Sequence, residues 1–331
     1  MPRLRTVSTQ QPGWTRVPHG RGFRYLDDQG RPLEASDVAR IKALVIPPAW
    51  REVWISPYPN GHLQAVGTDE AGRRQYLYHD EWRRKRDEAK FDRVLDMAAR
   101  LPRVRKRVRA DLALATTARE TTLAAAVRLI DLGCFRLGSD SSVEEHGSYG
   151  LTTLERRHLK RREAGWTFSF VGKAGVEHDI DVRDPDLCKV LELLAGRRRG
   201  DARLLCHQMS RRWVPLQAGD VNDHIRELFG IEVTAKDFRT WHATVHVAAE
   251  LGRSTATSKT ARKKAVRSAV VSASELLGNT PTVCKSSYVD PRVLDLYEHD
   301  VTIDESLARL PRDEDKARDR LDRAVLKLLT D

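Results

Sequence analysis

The chain has 331 residues, of which 40% are hydrophobic and 32% charged, and its formal net charge is +11. That length suggests two domains with room for a sizeable core. There is no run of about 18 apolar residues for a membrane helix, and the basic opening "MPRLRTVSTQQPGW" has no apolar stretch behind it and is not expected to be a secretory signal. Cys134, Cys188, Cys206 and Cys284 form no C-x-x-C pair, which argues against a disulfide scaffold or a cysteine zinc site and fits a reducing cytoplasm.

Basic runs recur in "WRRKR", "VRKRVR", "RRHLKRR" and "RKKAVR", so a polyanion, most simply nucleic acid, is the expected partner. Residues 51–80 read as a β-meander. "REVWIS" is strand-like, Asn60-Gly61 signals a hairpin, "HLQAVGT" follows, and a turn at "DEAG" leads into "RRQYLYH". Tyr76 and Tyr78 in that last strand share one face. The expected division is a β-rich domain over 1–84 and a larger helical domain over 85–331, an α+β fold overall.

Beyond residue 84 the pattern turns helical. "DEWRRKRDEAKFDRVLDMAARL" carries acids early and an apolar stripe. "VRADLALATTARETTLAAAVRLIDLG" is rich in Ala and Leu and closes on Gly133, a candidate C-cap. "WTFSFVGKAGVEHDIDV" alternates on both sides of Gly172–Gly175 and predicts a hairpin with Lys173 near its tip. Helices then resume over 185–196, 218–229, "KDFRTWHATVHVAAEL" and 313–329. Residues 252–267, rich in Ser, Thr and basic residues, read as a flexible linker or a loop ordered by DNA.

Several motifs fail. Gly172-Lys173 is no P-loop, because Thr167 replaces the first glycine and Ala174 the closing Ser/Thr. His242 and His246 have zinc-protease spacing, but Ala243 stands where the glutamate base belongs, leaving at most a metal-binding pair. Cys206-His207 has no spaced partners. No ATP site, cofactor or metal is expected.

The surviving constellation suits phosphodiester chemistry without a metal. A nucleophile must attack phosphorus, fixed cations must meet the non-bridging oxygens, and the departing sugar oxygen needs a proton. Arginine's planar fork suits the second task and lysine the third. Arg136 sits in "LGCFRLGSD", Lys173 on the hairpin tip, and Lys236 and Arg239 three apart at a helix start; Asn279 and Tyr288 flank "NTPTVCKSSY". Each alone has an ordinary reading: a helix cap for Arg136, a solvated turn for Lys173, a surface charge for Lys236, a turn before Pro281 for Asn279.

Together, "CFRLGSD", "GLTTL", "FVGKAG", "KDFRTWHAT" and "CKSSYVDP", preceded by "WISPYPNGHLQAVGTDEAGRRQYLYH", resemble the type IB DNA topoisomerases, specifically the small poxvirus-like enzymes of bacteria. The resemblance runs from about residue 45 to 295, in the family's order. It implies a small antiparallel β-domain followed by a helical catalytic domain with a small sheet, closing as a clamp on duplex DNA. It implies Tyr288 as the nucleophile of a 3′-phosphotyrosyl bond, with Arg136 and Arg239 on the scissile phosphate. Lys173 is then the general acid for the 5′ oxygen, supported by Lys236, and Asn279 stands where many relatives use histidine. Gln75, Tyr76 and Tyr78 match a DNA-touching strand.

The implied enzyme relaxes supercoils of either sign, without ATP, metal or cofactor, as a cytoplasmic, nucleoid-associated monomer. Ala174 follows the lysine where viral enzymes carry aspartate. Ser141 and Ser142 replace residues that read a preferred pentamer there, so that preference is not carried over. A tyrosine recombinase shares the chemistry but typically carries H-x-x-R, against Lys236-x-x-Arg239 here, and begins with a helical domain. A non-catalytic DNA-binding protein of the same fold is the remaining alternative.

Overall fold

The computed structural model describes residues 3–197, 200 and 202–331. Among them no helix is long and apolar enough to cross a membrane. The chain divides into two compact units, Met1–Lys90 and Phe91–Asp331.

In the first unit, β1 (Trp14–His19), β2 (Gly22–Leu26), β3 (Arg51–Ile55), β4 (Leu63–Thr68) and β5 (Arg74–Tyr78) form one antiparallel sheet in the order β2-β1-β3-β4-β5. The helix α1 (Ala35–Ala43) packs Ile41 against Val53, Ile55 and Ala65 of the sheet. The turn expected at "DEAG" is present: the Asp69 carboxylate accepts the Ala71 and Arg73 N–H groups, and Gly72 takes φ +76°, which a side chain would resist. The hairpin signalled at Asn60-Gly61 is present: β3 and β4 pair antiparallel. Their connection, residues 56–62, is a loop whose turn at Pro59-Asn60 is closed by the Gly61 N–H on the Tyr58 carbonyl. The buried Gln64 amide donates to the carbonyls of Tyr58, Pro59 and Gly61, and Arg5 N–H donates to the Asn60 carbonyl. The loop thereby satisfies a buried amide that needs partners.

The helix α2 (Asp80–Ala113) is 34 residues long and contains Pro102. The sequence reading gives two helical stretches, 80–101 and 108–133. The break falls instead at residues 114–118, before α3 (Arg119–Gly133). Val94, Met97, Ala98, Leu101, Val104 and Val108 form an unbroken buried stripe on both sides of Pro102, and that burial outweighs the lost backbone bond. The C-cap also shifts by one. Cys134, not Gly133, takes the left-handed conformation at φ +52°. Gly133 is glycine because a Cβ there would come 2.5 Å from the Phe135 ring.

The chain continues through α4 (Asp140–His146), β6 (Leu159–Arg162), β7 (Gly165–Val171), β8 (Glu177–Val182), α5 (Pro185–Gly196), β9 (Cys206–Met209), β10 (Arg212–Pro215) and α6 (Ala218–Phe229). It ends with α7 (Ala235–Gly252), α8 (Lys259–Leu277), α9 (Pro281–Ser287), α10 (Pro291–Glu298), α11 (Asp304–Leu307) and α12 (Glu314–Thr330). Strands β6-β7-β8 make a small antiparallel sheet, and β9 and β10 a separate hairpin that the sequence reading did not foresee. Residues 252–267 are not one loop: Ser258 caps α8, which holds 259–267 in its first turns. The expected α+β architecture is therefore present, an antiparallel sheet followed by a mainly helical part with small sheets.

Helices α3 and α7 are the buried centre of the second unit. α3 is buried continuously from Thr121 to Asp131, and α7 buries Phe238, Trp241, Val245 and Val247 along with polar neighbours. A helix enclosed on all sides has no solvated face. Every charged residue on it, Arg128, Asp131, Asp237 and Arg239 among them, therefore needs a specific partner.

Candidate active site

Two glycines bring Arg136 into place. After α3 the strand-like segment 134–139 runs beside residues 150–152, where the Leu151 N–H donates to the Arg136 carbonyl and the Thr152 N–H to that of Leu137, each at 2.8 Å. A Cβ on Gly150 would lie 2.5 Å from the Gly138 nitrogen. The motifs "CFRLGSD" and "GLTTL" thus pack backbone to backbone, and only glycine permits it.

The guanidinium of Arg136 donates to the Gly278 carbonyl at 2.9 Å and to the Asn279 Oδ1. Burial and the nearby Arg239 push its pKa down to about 10, partly offset by Tyr288. Arg239, only 4% exposed, donates to the carbonyl of Cys134 and, at 2.8 Å, to that of Leu277. These acceptors lie at the C-terminal ends of α3 and α8. Such ends carry unpaired carbonyls and partial negative charge, and attract cations. Neither arginine forms an ion pair among the described residues. The Arg239 Nε and the Asn279 Nδ2 are buried donors with no partner.

Lys173 is exposed in the turn between β7 and β8, where Gly172 N–H bonds to the Val176 carbonyl at 2.7 Å. Ala174 and Gly175 both take positive φ there, +62° and +74°. Lys173, Arg136, Arg239 and His178 line one small cleft, closed by Phe135, Phe170, Tyr149 and Leu277.

Tyr288 sits between two short helices that share a start signal. Thr280 caps α9 ahead of Pro281, and Asp290 caps α10 ahead of Pro291. The Tyr288 N–H closes α9 on the Cys284 carbonyl. The Thr244 hydroxyl lies 3.2 Å from the Tyr288 carbonyl and accepts the Asp290 N–H at 3.1 Å, pinning this junction to α7. The phenol ring is half-buried. The Arg239 guanidinium lies 5.4 Å and the Lys236 ammonium 6.0 Å from its centroid, so Lys236 and Arg239 do present one face of α7 to the tyrosine. The start of α7 is held by a Thr234–Asp237 capping box, with Asp237 also paired to Arg93 at 3.0 Å.

All six residues singled out in this part of the sequence therefore converge. The other three belong to the first unit. Tyr76 and Tyr78 stack at 6.2 Å on the edge strand β5, 52% and 37% exposed. Gln75 points to the other face and donates to Asp69 at 2.9 Å. His242 and His246 do not make a joint site: His242 lies 3.4 Å from the Asp131 carboxylate and His246 2.8 Å from the Ser272 hydroxyl. Sequence reasoning missed His178 and Thr244, although both lie within the quoted motif stretches, and it could not register the carbonyl acceptors at all.

Cations anchored by carbonyls beside a tyrosine offer an anion a positively charged cleft. Residues 79–311 match the family described as the catalytic core of eukaryotic DNA topoisomerase I. Residues 22–69 match the N-terminal domain of bacterial DNA topoisomerase IB. The DNA topoisomerase 1B of Acanthamoeba polyphaga mimivirus is 29% identical over 282 residues, 83% of this chain and 84% of the relative. The DNA topoisomerase 1 of rabbit fibroma virus is 24% identical over 75% of this chain and 76% of the relative, and the DNA topoisomerase 1B of vaccinia virus 26% identical over 70% and 71%. The chain belongs to the type IB DNA topoisomerases, isomerases with DNA as substrate. Within them it is of the small poxvirus-like kind, with a bacterial type of N-terminal domain.

Proposed function

We propose that this enzyme relaxes positive and negative supercoils by cutting one strand of duplex DNA, holding the 3′ end as a phosphotyrosine on Tyr288, and resealing it. The observation that carries this reading is the pair of arginines beside Tyr288, Arg239 buried and Arg136 half-buried, fixed by carbonyl oxygens and paired with no carboxylate among the described residues. Such cations stabilise the negative charge that grows on the non-bridging oxygens as phosphorus becomes five-coordinate. Arg136 and Arg239 take that role, and the partnerless Asn279 Nδ2 adds a hydrogen bond. Asn279 is already oriented for it, because its Oδ1 accepts from Arg136 and the amide nitrogen must face away.

Lys173 gives its proton to the departing 5′ oxygen, and Lys236 supports the phosphate or the proton relay from beside the phenol. Attack by Tyr288 exchanges one phosphodiester for another, so bond energy is kept and neither ATP nor a metal clamp is required. While the 5′ end is free the duplex swivels about the intact strand. The 5′ hydroxyl then attacks the phosphotyrosine and restores the backbone. One monomer suffices for this sequence. The exposed Tyr76 and Tyr78 pair and Gln75 contact the duplex from the first unit, and phosphate contacts make affinity fall steeply with salt.

The test is relaxation of supercoiled plasmid in EDTA without ATP, with an SDS-quenched aliquot assayed for protein on the 3′ end. Relaxation with a 3′ adduct is the expected result. Intact DNA binding with neither would overturn the reading in favour of a non-catalytic protein or a recombinase awaiting its site. Tyr288→Phe is expected to bind DNA and form no adduct. Lys173→Ala is expected to slow single-turnover cleavage by roughly 10²–10⁴-fold, the range for a lost general acid; a loss below about ten-fold would remove it from that role.

A further inference from the structure

His178 has no place in the chemistry described above, yet its imidazole packs between the Lys173 turn and the end of α8. It lies on β8, five residues after Lys173. On one side it stacks on Phe170, ring centroids 5.1 Å apart and planes 24° from parallel. Phe170 stacks in turn on Phe135, at 5.9 Å and 14°, and Phe135 immediately precedes Arg136. On its other side the imidazole presses against two glycines. A Cβ built on Gly172 would come 2.7 Å from the ring, and so would one on Gly278. Gly172 precedes Lys173. Gly278 precedes Asn279, and its carbonyl holds Arg136. One flat ring therefore separates the lysine turn from the end of α8, with a three-ring stack behind it reaching the segment that carries Arg136.

The turn it braces is closed by two backbone bonds, Gly172 N–H to the Val176 carbonyl at 2.7 Å and Gly175 N–H to the Gly172 carbonyl at 3.2 Å. Ala174 and Gly175 adopt consecutive left-handed conformations, which no local side-chain hydrogen bond secures. The Lys173 side chain is exposed, with no hydrogen bond or ion pair among the described residues. The His178 ring against Gly172 is then the side-chain contact that sets where the lysine's backbone starts. The ring also has to be neutral for this. Burial, Arg136 and Arg239 all lower its pKa, because protonation would put a third desolvated cation into a cleft that holds two.

We propose that His178 is a positioning residue for proton delivery: it is the spacer that sets Lys173 relative to the Arg136–Asn279 cluster. This rests on the reading of Lys173 as the donor to the 5′ oxygen. The ring acts by its shape and stacking, not by exchanging a proton itself.

The experiment is single-turnover cleavage, at a site mapped for the wild-type enzyme, on two duplexes that differ in one atom. One carries the ordinary 5′ oxygen at the scissile bond and the other a 5′ sulfur, a leaving group that needs little protonation. His178→Ala should slow cleavage of the ordinary duplex by about 10²-fold, the scale of a reacting group misplaced by roughly 1 Å. The sulfur duplex should recover most of that loss. His178→Phe keeps a flat ring on Phe170 and should retain most of the wild-type rate. Adding His178→Ala to Lys173→Ala should cost nothing further, because both remove the same function.

Wild-type protein that forms no adduct on either duplex would defeat the reading of the site and not this inference. With wild-type cleavage intact, four outcomes would overturn the inference. A His178→Ala rate within about three-fold of wild type is one. A defect that sulfur does not relieve, or one that adds to the Lys173→Ala defect, would place the effect elsewhere in the site. A His178→Phe enzyme as slow as His178→Ala, with an unchanged melting temperature, would give the ring nitrogens a direct part.

Discussion

The second unit contains two arginine clusters that solve opposite problems. Around Asp131, Arg105 and Arg128 are saturated with carboxylates. Arg105 binds Asp131 at 2.8 Å, Asp322 at 2.6 Å and Asp319 at 2.7 Å. Arg128 binds Asp184 and Asp315, each at 2.7 Å, with Asp131 at 3.4 Å. This network ties α12 to α2 and α3, and Asp322 also takes the indole N–H of Trp241 on α7 at 2.8 Å. In the cleft, the hydrogen bonds of Arg136 and Arg239 among the described residues go to carbonyl and amide oxygens. The consequence is visible in the proton affinities: the Asp131 and Asp322 carboxylates raise that of Arg105, whereas burial and a like charge lower that of Arg136. A paired arginine has spent its field on the fold. A carbonyl-held arginine keeps its field for an anion that arrives later, and the fold bears the cost of leaving it bare.

The largest expected effect separates the clusters on rate. Arg239→Ala should lower single-turnover cleavage by roughly 10²–10³-fold, the scale of one transition-state charge contact, and DNA affinity far less. Cleavage and affinity falling together would make Arg239 an anchor, and the division between the clusters would fail. The unfolding midpoint should move little, because the loss frees two carbonyls, at about 1–3 kcal/mol each at most, and relieves a desolvated charge.

The second effect is the mirror image. Arg105→Met leaves the buried Asp131 and Asp322 carboxylates short of a partner. It should destabilise the protein by about 3–5 kcal/mol, the cost of breaking a buried pair from one side, and leave the cleavage rate per folded molecule unchanged. Urea denaturation and active-site titration check the two halves. A rate loss without a stability loss would mean that the network feeds the cleft, and that the contrast is one of distance only.

Much of this was legible in the sequence where local signals and burial agree. The helices over 185–196 and 218–229 lie where they were read, because Asp184-Pro185 and the Gln217–Asp220 capping box mark their starts, and Gly230 ends the second. The Lys173 hairpin was readable because strand alternation stops at the glycines and resumes beyond them. Legibility failed where a distant contact overrode a local rule. Pro102 sits inside a helix because the stripe around it is buried. The site residues were recognisable as types, but their support was not. Arg239 is held by carbonyls of Cys134 and Leu277, and a carbonyl leaves no mark in a sequence. The same holds for His178, whose importance lies in two glycines and a ring it touches across the fold.

The smallest effect concerns acid, and it separates the clusters by what titrates first. His178 in the cleft, with His158, His207, His224 and His246 elsewhere, has a pKa lowered first of all by burial. Each is neutral in the native state and gains protons on unfolding once the pH drops below the free histidine value of about 6.5. Their contribution to stability is therefore complete above that pH and is lost as the pH falls through their lower native values. The carboxylates of Asp131 and Asp315 are themselves held below the ordinary range, by Arg105 and His242 for the first and by Arg128 for the second, against the opposing effect of burial. The lowered Asp131 and Asp315 carboxylates thus keep their charge in the network across the histidine range. The urea midpoint should fall between about pH 7.5 and 5.5 as these five histidines take up protons on unfolding. His178→Phe should shrink that fall, because one of the five uptake sites is gone, while Arg105→Met should lower the midpoint at both pH values by a similar amount. A midpoint that rises toward pH 5.5 would mean that these histidines gain, not lose, from their protonated form, and that the cleft tolerates the third cation its geometry excludes.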